Sequence, residues 1–293
     1  MGLRLRADAL ILAIVLVAGC TTDPSPTPVP TDPPSPVPIA TAVASEASSP
    51  TALPTGGAYL ALGDSITFGV GVPRPQQNGY VARVADALAS AGADPRIAMT
   101  RVFAVPGETA GGFLERRLDD VTGVIEELGP RVELVTIGLG ANEVLRARRD
   151  AACVADRAGE ACRAVVDTAA EEAASALDGV VTGVQSALEA AGSDAVVLVL
   201  AYYNPDLDPL AAESVAGSDG VVGCEPMEAR PGLNDRIACL AAERSAGLVD
   251  LYAAFLGRED ELTRFRSGDV HPNAAGYTVI ADTILGMLAD REG

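Results

Sequence analysis

Residues 195–202 read AVVLVLAY, eight apolar positions with no polar residue among them. A strand with one wet face alternates apolar and polar side chains. An unbroken run is buried on both faces, as happens in a parallel sheet roofed by helices on each side. The chain must then supply neighbouring strands and covering helices, and it does. Tyr59 to Leu62 is a short apolar run cut off at Gly63, while 97–105 (IAMTRVFAV), 132–139 (VELVTIGL) and 248–251 also read as strands. Between them lie segments of helical period: 79–91 stopping at Gly92, 112–128 stopping at Gly129-Pro130, 164–191 stopping at Gly192, then 233–246 and 273–290. Alternating strands and helices predict a parallel sheet covered on both sides. Ligand sites in such sheets form beyond the carboxyl ends of the strands, so chemistry-bearing residues are sought there.

Four segments answer that search. Gly63-Asp64-Ser65-Ile66-Thr67 follows the first strand. A serine at a strand-to-helix turn lies among outward-pointing N–H groups and a dipole that favours negative charge, which suits a nucleophile whose reaction builds an oxyanion; a serine that only caps the helix would fit there too. Gly107 follows the second strand in Val105-Pro106-Gly107-Glu108-Thr109, where a glycine lets the backbone approach a ligand, or simply makes a turn. Gly140-Ala141-Asn142-Glu143 follows the third strand; the Asn142 amide can donate to a developing oxyanion, or shape its own turn. Asp269-Val270-His271-Pro272 precedes the last helix and contains the single histidine of the chain. Asp269 can reach Nδ1 of that ring through a tight turn, fixing its tautomer and stabilising the imidazolium.

In this order, GDSIT, a glycine after the second strand, GANE and DVHP resemble the SGNH hydrolases, also called the GDSL family, and HPNAAGYTVIADTIL resembles that family's C-terminal helix. The resemblance covers about residues 57–290. It implies a flavodoxin-like, three-layer α/β/α sandwich with a mostly parallel five-stranded sheet, and a carboxylic ester hydrolase with no metal or organic cofactor. It also implies roles: Ser65 as nucleophile and one oxyanion N–H, Gly107 as a second N–H, Asn142 as a side-chain donor, His271 as general base, Asp269 as its orienting partner. Two departures stand out. Glu143 occupies a position where the family usually has Asp, and Pro106 restricts Val105 to extended conformations just before Gly107.

The first 20 residues, MGLRLRADALILAIVLVAGC, carry Arg4 and Arg6, then an apolar run from Ala9 to Ala18 that is too short to span a bilayer. Val17-Ala18-Gly19-Cys20 resembles a bacterial lipobox, which implies cleavage before Cys20, lipid on its thiol, and a protein tethered to the outer face of the cell membrane. Residues 21–56 are rich in Pro, Ser, Thr and Ala and are expected to form a disordered spacer ahead of a hydrolase domain over 57–293. The remaining cysteines number four, which in an exported chain suggests disulfides. Of three pairings, Cys153–Cys162 and Cys224–Cys239 are favoured because each brackets a local polar stretch containing Gly or Pro. A metal site is not expected, since there is no CxxC and only one His.

Net charge is -19, without a single Lys. So acidic a surface repels phosphate backbones and excludes nucleic-acid binding as the expected role. Neutral esters suit it: short-chain acyl esters, acetylated glycans or lysolipids. The polar segments 202–231 and 143–163 are expected to wall the site, a small pocket favouring acetyl groups and a long apolar groove favouring lipids. Acyl transfer to a glycan acceptor and a non-catalytic surface-binding lipoprotein are the competing functions. Nothing in the sequence bears on oligomeric state, and a monomer is the expectation.

Overall fold

In the computed structural model the described residues are 56–90, 92–93, 95–204, 222–224 and 231–291. The leader with Cys20, all but the last residue of the 21–56 spacer, and most of the 202–231 segment lie outside them. Five strands, β1 (Gly57–Gly63), β2 (Ile97–Ala104), β3 (Val132–Gly138), β4 (Val196–Ala201) and β5 (Gly247–Asp250), form one sheet in the order β2-β1-β3-β4-β5. Every pairing is parallel, where the sequence led us to expect a mostly parallel sheet. The order 2-1-3-4-5 is the flavodoxin-like one, with its crevice at the switch between β1 and β3.

The described helices are α1 (Ser65–Phe68), α2 (Pro75–Asn78), α3 (Tyr80–Leu88), α4 (Ala110–Arg116), α5 (Leu118–Leu128), α6 (Ala141–Ala147), α7 (Ala151–Ala155), α8 (Glu160–Ala190), α9 (Leu233–Glu243), α10 (Leu251–Phe255), α11 (Glu259–Leu262) and α12 (Ala274–Ala289). Helices α4, α5, α8 and α9 cover one face of the sheet; α3 and α12 cover the other. β1 shows why both covers are needed. Its side chains alternate, so Ala58, Leu60 and Leu62 join the first core while Tyr59 and Ala61 join the second, and all five are fully buried. Truncating a leucine such as Leu60 at this centre would cost about 2–5 kcal/mol.

The segment expected as one helix over 112–128 is two, broken at Arg117, whose φ of -129° leaves the helical region. Helix α8 buries Val166, Ala170, Ala173, Leu177, Val181, Val184 and Leu188 at spacings of three and four, the apolar stripe of a helix lying on a sheet. Gly179 and Gly183 on it lie against Leu114 and Leu118, whose methyl groups leave no room for a Cβ. Few aromatics are needed when helices approach so closely. Segment 143–163, expected to wall the site, is largely helical, and its Cys153–Cys162 disulfide is buried against α8. The second disulfide joins Cys224 to Cys239 on α9. Both pairings are the favoured ones.

Candidate active site

β1 ends at Gly63, where a side chain would collide with Thr67 and with the Gly138 carbonyl. The chain then turns into α1. Asp64, not Ser65, caps this helix: its Oδ1 accepts from the Ile66 N–H at 2.9 Å. Ser65 is therefore released from capping. It is the first helical residue, whose N–H has no intrahelical acceptor. Asp64 is buried, 2 % exposed, and its Oδ2 accepts from the Tyr202 hydroxyl at 3.1 Å and from Asn142 Nδ2 at 3.3 Å. Burial pushes its carboxyl up to about 7, against the hydrogen bonds from Ile66 and Tyr202.

Beyond β2, Glu108 N–H donates to the Val105 carbonyl at 3.0 Å and Gly107 has φ +80°. Proline at the second position and a left-handed glycine at the third make a type II turn. Pro106 thus presets the turn that holds Gly107 rather than disturbing it. The Gly107 carbonyl accepts from Arg146 at 2.6 Å. Its N–H has no hydrogen-bond partner among the described residues. Glu108 is buried; burial pushes its carboxyl up, but hydrogen bonds from Arg117 (3.1 Å) and Arg116 (2.6 Å) hold it below its ordinary value. Glu143, where the resemblance calls for Asp, reaches across to the start of α4: its Oε1 accepts from the Gly111 N–H at 3.3 Å, and burial raises its carboxyl. It braces the first turn of α4 against the first turn of α6.

Asn142 donates both amide hydrogens to protein groups, at 2.8 Å to the Glu108 carbonyl and at 3.3 Å to Asp64 Oδ2. It does not shape its own turn.

His271 sits on a two-stranded turn, with Thr263 paired antiparallel to Pro272 and the Arg264 N–H donating to the His271 carbonyl at 2.9 Å. Its Nδ1 lies 2.5 Å from Asp269 Oδ1, and its backbone N–H donates to the same oxygen at 3.1 Å. The other oxygen of Asp269 pairs with Arg264 Nε at 2.9 Å, and Arg264 also donates to the Gly71 carbonyl at 3.1 Å. Partial burial raises the Asp269 carboxyl, but the His271 hydrogen bonds and the Arg264 charge outweigh it and hold the group low. The Tyr203 hydroxyl donates to the Val270 carbonyl at 2.7 Å, fixing the residue before the imidazole.

Ser65, Asn142 and His271 line a single cleft of about 40 Å³, with Tyr202, Tyr203 and Leu233 in its wall. Gly107 is not in that lining. No hydrogen bond joins Ser65 Oγ to His271 in this structure; in unliganded sites such bonds are often long and tighten around substrate. The 143–163 segment contributes to the cleft through α6 and the residue after it, by Val144, Leu145 and Arg148. The sequence signalled Ser65, Asn142, Asp269 and His271. It gave no sign of Arg264, Tyr202 or Tyr203, which act through folded contacts that leave no spacing pattern.

A family model, the GDSL-like Lipase/Acylhydrolase family, matches residues 61–279. The chain belongs to the GDSL-like lipase/acylhydrolase family. By that membership it is a carboxylic ester hydrolase. Solved GDSL-type and related folds agree. Phospholipase A1 from Streptomyces albidoflavus NA297 superposes with a TM-score of 0.54 at 24% identity, covering 78% of this chain and 98% of its own. An extracellular lipase from Streptomyces rimosus gives 0.53 at 23% identity, over 78% and 98%. An acetylxylan esterase from Geobacillus stearothermophilus gives 0.51 at 20% identity, over 78% and 94%. At such identities these structures speak for the fold alone. No curated protein matches the sequence.

Proposed function

We propose that this family member is an extracytoplasmic serine esterase that cleaves neutral carboxylic esters through Ser65, His271 and Asp269. The observation that carries the proposal is the Asp269–His271 hydrogen bond in a cleft whose wall includes Ser65. Ser65 Oγ attacks the acyl carbonyl while His271 Nε2 takes its proton. The oxyanion draws on the Ser65 N–H and the Asn142 amide, with the Gly107 N–H as third donor. The alcohol leaves with the proton from His271, and water, deprotonated by the same ring, releases the acid. The cleft has Ile66, Val144 and Leu233 in its wall, an apolar surface that suits the acyl side of a neutral ester. The leader ending in Cys20 supports a lipid-tethered, extracytoplasmic placement.

The test is labelling with a fluorophosphonate followed by peptide mapping. Modification at Ser65 that vanishes in His271→Ala is the expected result. A folded protein that takes no label would point to a surface-binding lipoprotein instead.

A further inference from the structure

β4 runs out into two adjacent tyrosines, 5 % and 3 % exposed, whose hydroxyls go to opposite halves of the site. Successive side chains of extended backbone point to opposite faces, and here Tyr202 lies in one core and Tyr203 in the other. The Tyr202 hydroxyl donates to Asp64, the residue before Ser65, at 3.1 Å. The Tyr203 hydroxyl donates to the carbonyl of Val270, the residue before His271, at 2.7 Å. Both are anchored from behind. The Tyr202 N–H donates to Asn234 Oδ1 at 2.8 Å and its carbonyl accepts from Asn234 Nδ2 at 2.6 Å; Asn234 is fully buried on α9. The Tyr203 ring stacks on Phe255 of α10, with centroids 4.5 Å apart.

We propose that Tyr202 and Tyr203 are paired positioning residues: one dipeptide, clamped at its backbone and its ring, sets the separation between the nucleophile turn and the base-bearing loop. The proposal rests on the Ser65–His271 reading above. Ser65 follows β1 and His271 precedes α12, and the two share no hydrogen bond in the resting site, so their spacing depends on what holds each turn. A buried tyrosine hydroxyl needs a partner whatever its role. What distinguishes these two is that each partner adjoins a reacting residue. A misplacement of about 1 Å in such a pair can cost about a hundredfold in rate.

Tyr202→Phe, Tyr203→Phe and the double variant each delete only hydroxyl oxygens and keep the rings. They are compared in the full chain for kcat and KM on an aryl acetate, for the rate of fluorophosphonate labelling of Ser65, and for Tm. Each single variant is expected to lose about tenfold or more in kcat and in labelling rate, with KM within about twofold. The double variant is expected to lose little beyond the worse single one, because either break frees the same spacing. A lowered Tm with kcat and labelling unchanged would make them core tyrosines only and overturn the proposal. Losses that multiply in the double variant would overturn the pairing. Ser65→Ala separates the two levels: if it stays active, the serine assignment and the clasp fall together. If it is inactive while both Phe variants are unaffected, the clasp falls alone.

Discussion

Asp64 accepts three hydrogen bonds, no cation lies beside it among the described residues, and burial raises its carboxyl from 3.8 to about 7. The native state therefore holds this proton more tightly than the unfolded chain does. The sign follows: the contribution to stability is fully present below the unfolded value and is lost as pH rises through the folded one. At 1.36 kcal/mol for each pH unit between the two values, the loss amounts to about 4 kcal/mol. Asp64→Asn is neutral throughout and removes the dependence. It carries a fixed cost, because the amide nitrogen meets donors on either side, but that cost does not titrate. Asp269 and Glu108, whose carboxyls are held low, act in the opposite sense: their stabilisation is present above their unfolded values and lost on acidification. They are common to both proteins and cancel in the difference. Urea unfolding of the two proteins from about pH 4 to about pH 8, extrapolated linearly, gives that difference directly. The wild type is expected to lose up to about 4 kcal/mol relative to Asp64→Asn across the range. A difference that stays flat with pH would refute the reasoning, and Asp64 would be ionised throughout.

Arg264→Gln takes the cation from Asp269 Oδ2; with Arg264 47% exposed, the stability cost is expected to stay below about 1 kcal/mol. The carboxylate then loses one of the contacts that fix its orientation toward the His271 ring, so kcat on an aryl acetate should fall; an unchanged kcat counts against the coupling. Gly107→Ala meets nothing within 4 Å of the new Cβ, so its cost is that of a left-handed backbone, about 1–2 kcal/mol, read by urea unfolding. Replacing Cys224 and Cys239 by Ser opens a loop of sequence separation 15 and should cost about 3 kcal/mol in chemical denaturation. A loss near zero would mean that α9 is held by its packing alone.

The sheet was legible because each of its strands is an apolar run that stops at a turn signal. VELVTIGL and AVVLVLAY became β3 and β4 to within one residue at either end, and even the short 248–251 run found its place as β5. The break at Arg117 was not legible. Apolar positions Phe113, Val121 and Ile125 keep helical spacing across it, so periodicity carries no mark of the break. The small helices α6 and α7 were missed for a related reason: they are short, and their helicity comes from caps and neighbours rather than from periodicity. At the site, GDS and DVH announced themselves because local turn geometry brings Asp64 to the Ile66 N–H and Asp269 to the His271 ring. Contacts made across the sheet, such as Tyr202 to Asp64 or Arg264 to Gly71, join residues 138 and 193 positions apart. No local pattern can encode them.

The strand order has one more consequence. β1 lies inside the sheet, while β5 is its margin, three strand spacings or about 14 Å away. Ser65, the proposed nucleophile, thus follows an interior strand. His271, the proposed base, is carried back from the edge on a bracket of two short helices and a turn, α10 to His271. Such a bracket can detach while the sheet stays whole, since local opening costs less than global unfolding. Mild denaturant should then silence the enzyme before it melts the fold. The same bracket is where the chain can lengthen or shorten at small entropic cost, so it is the part of the site most open to evolutionary remodelling.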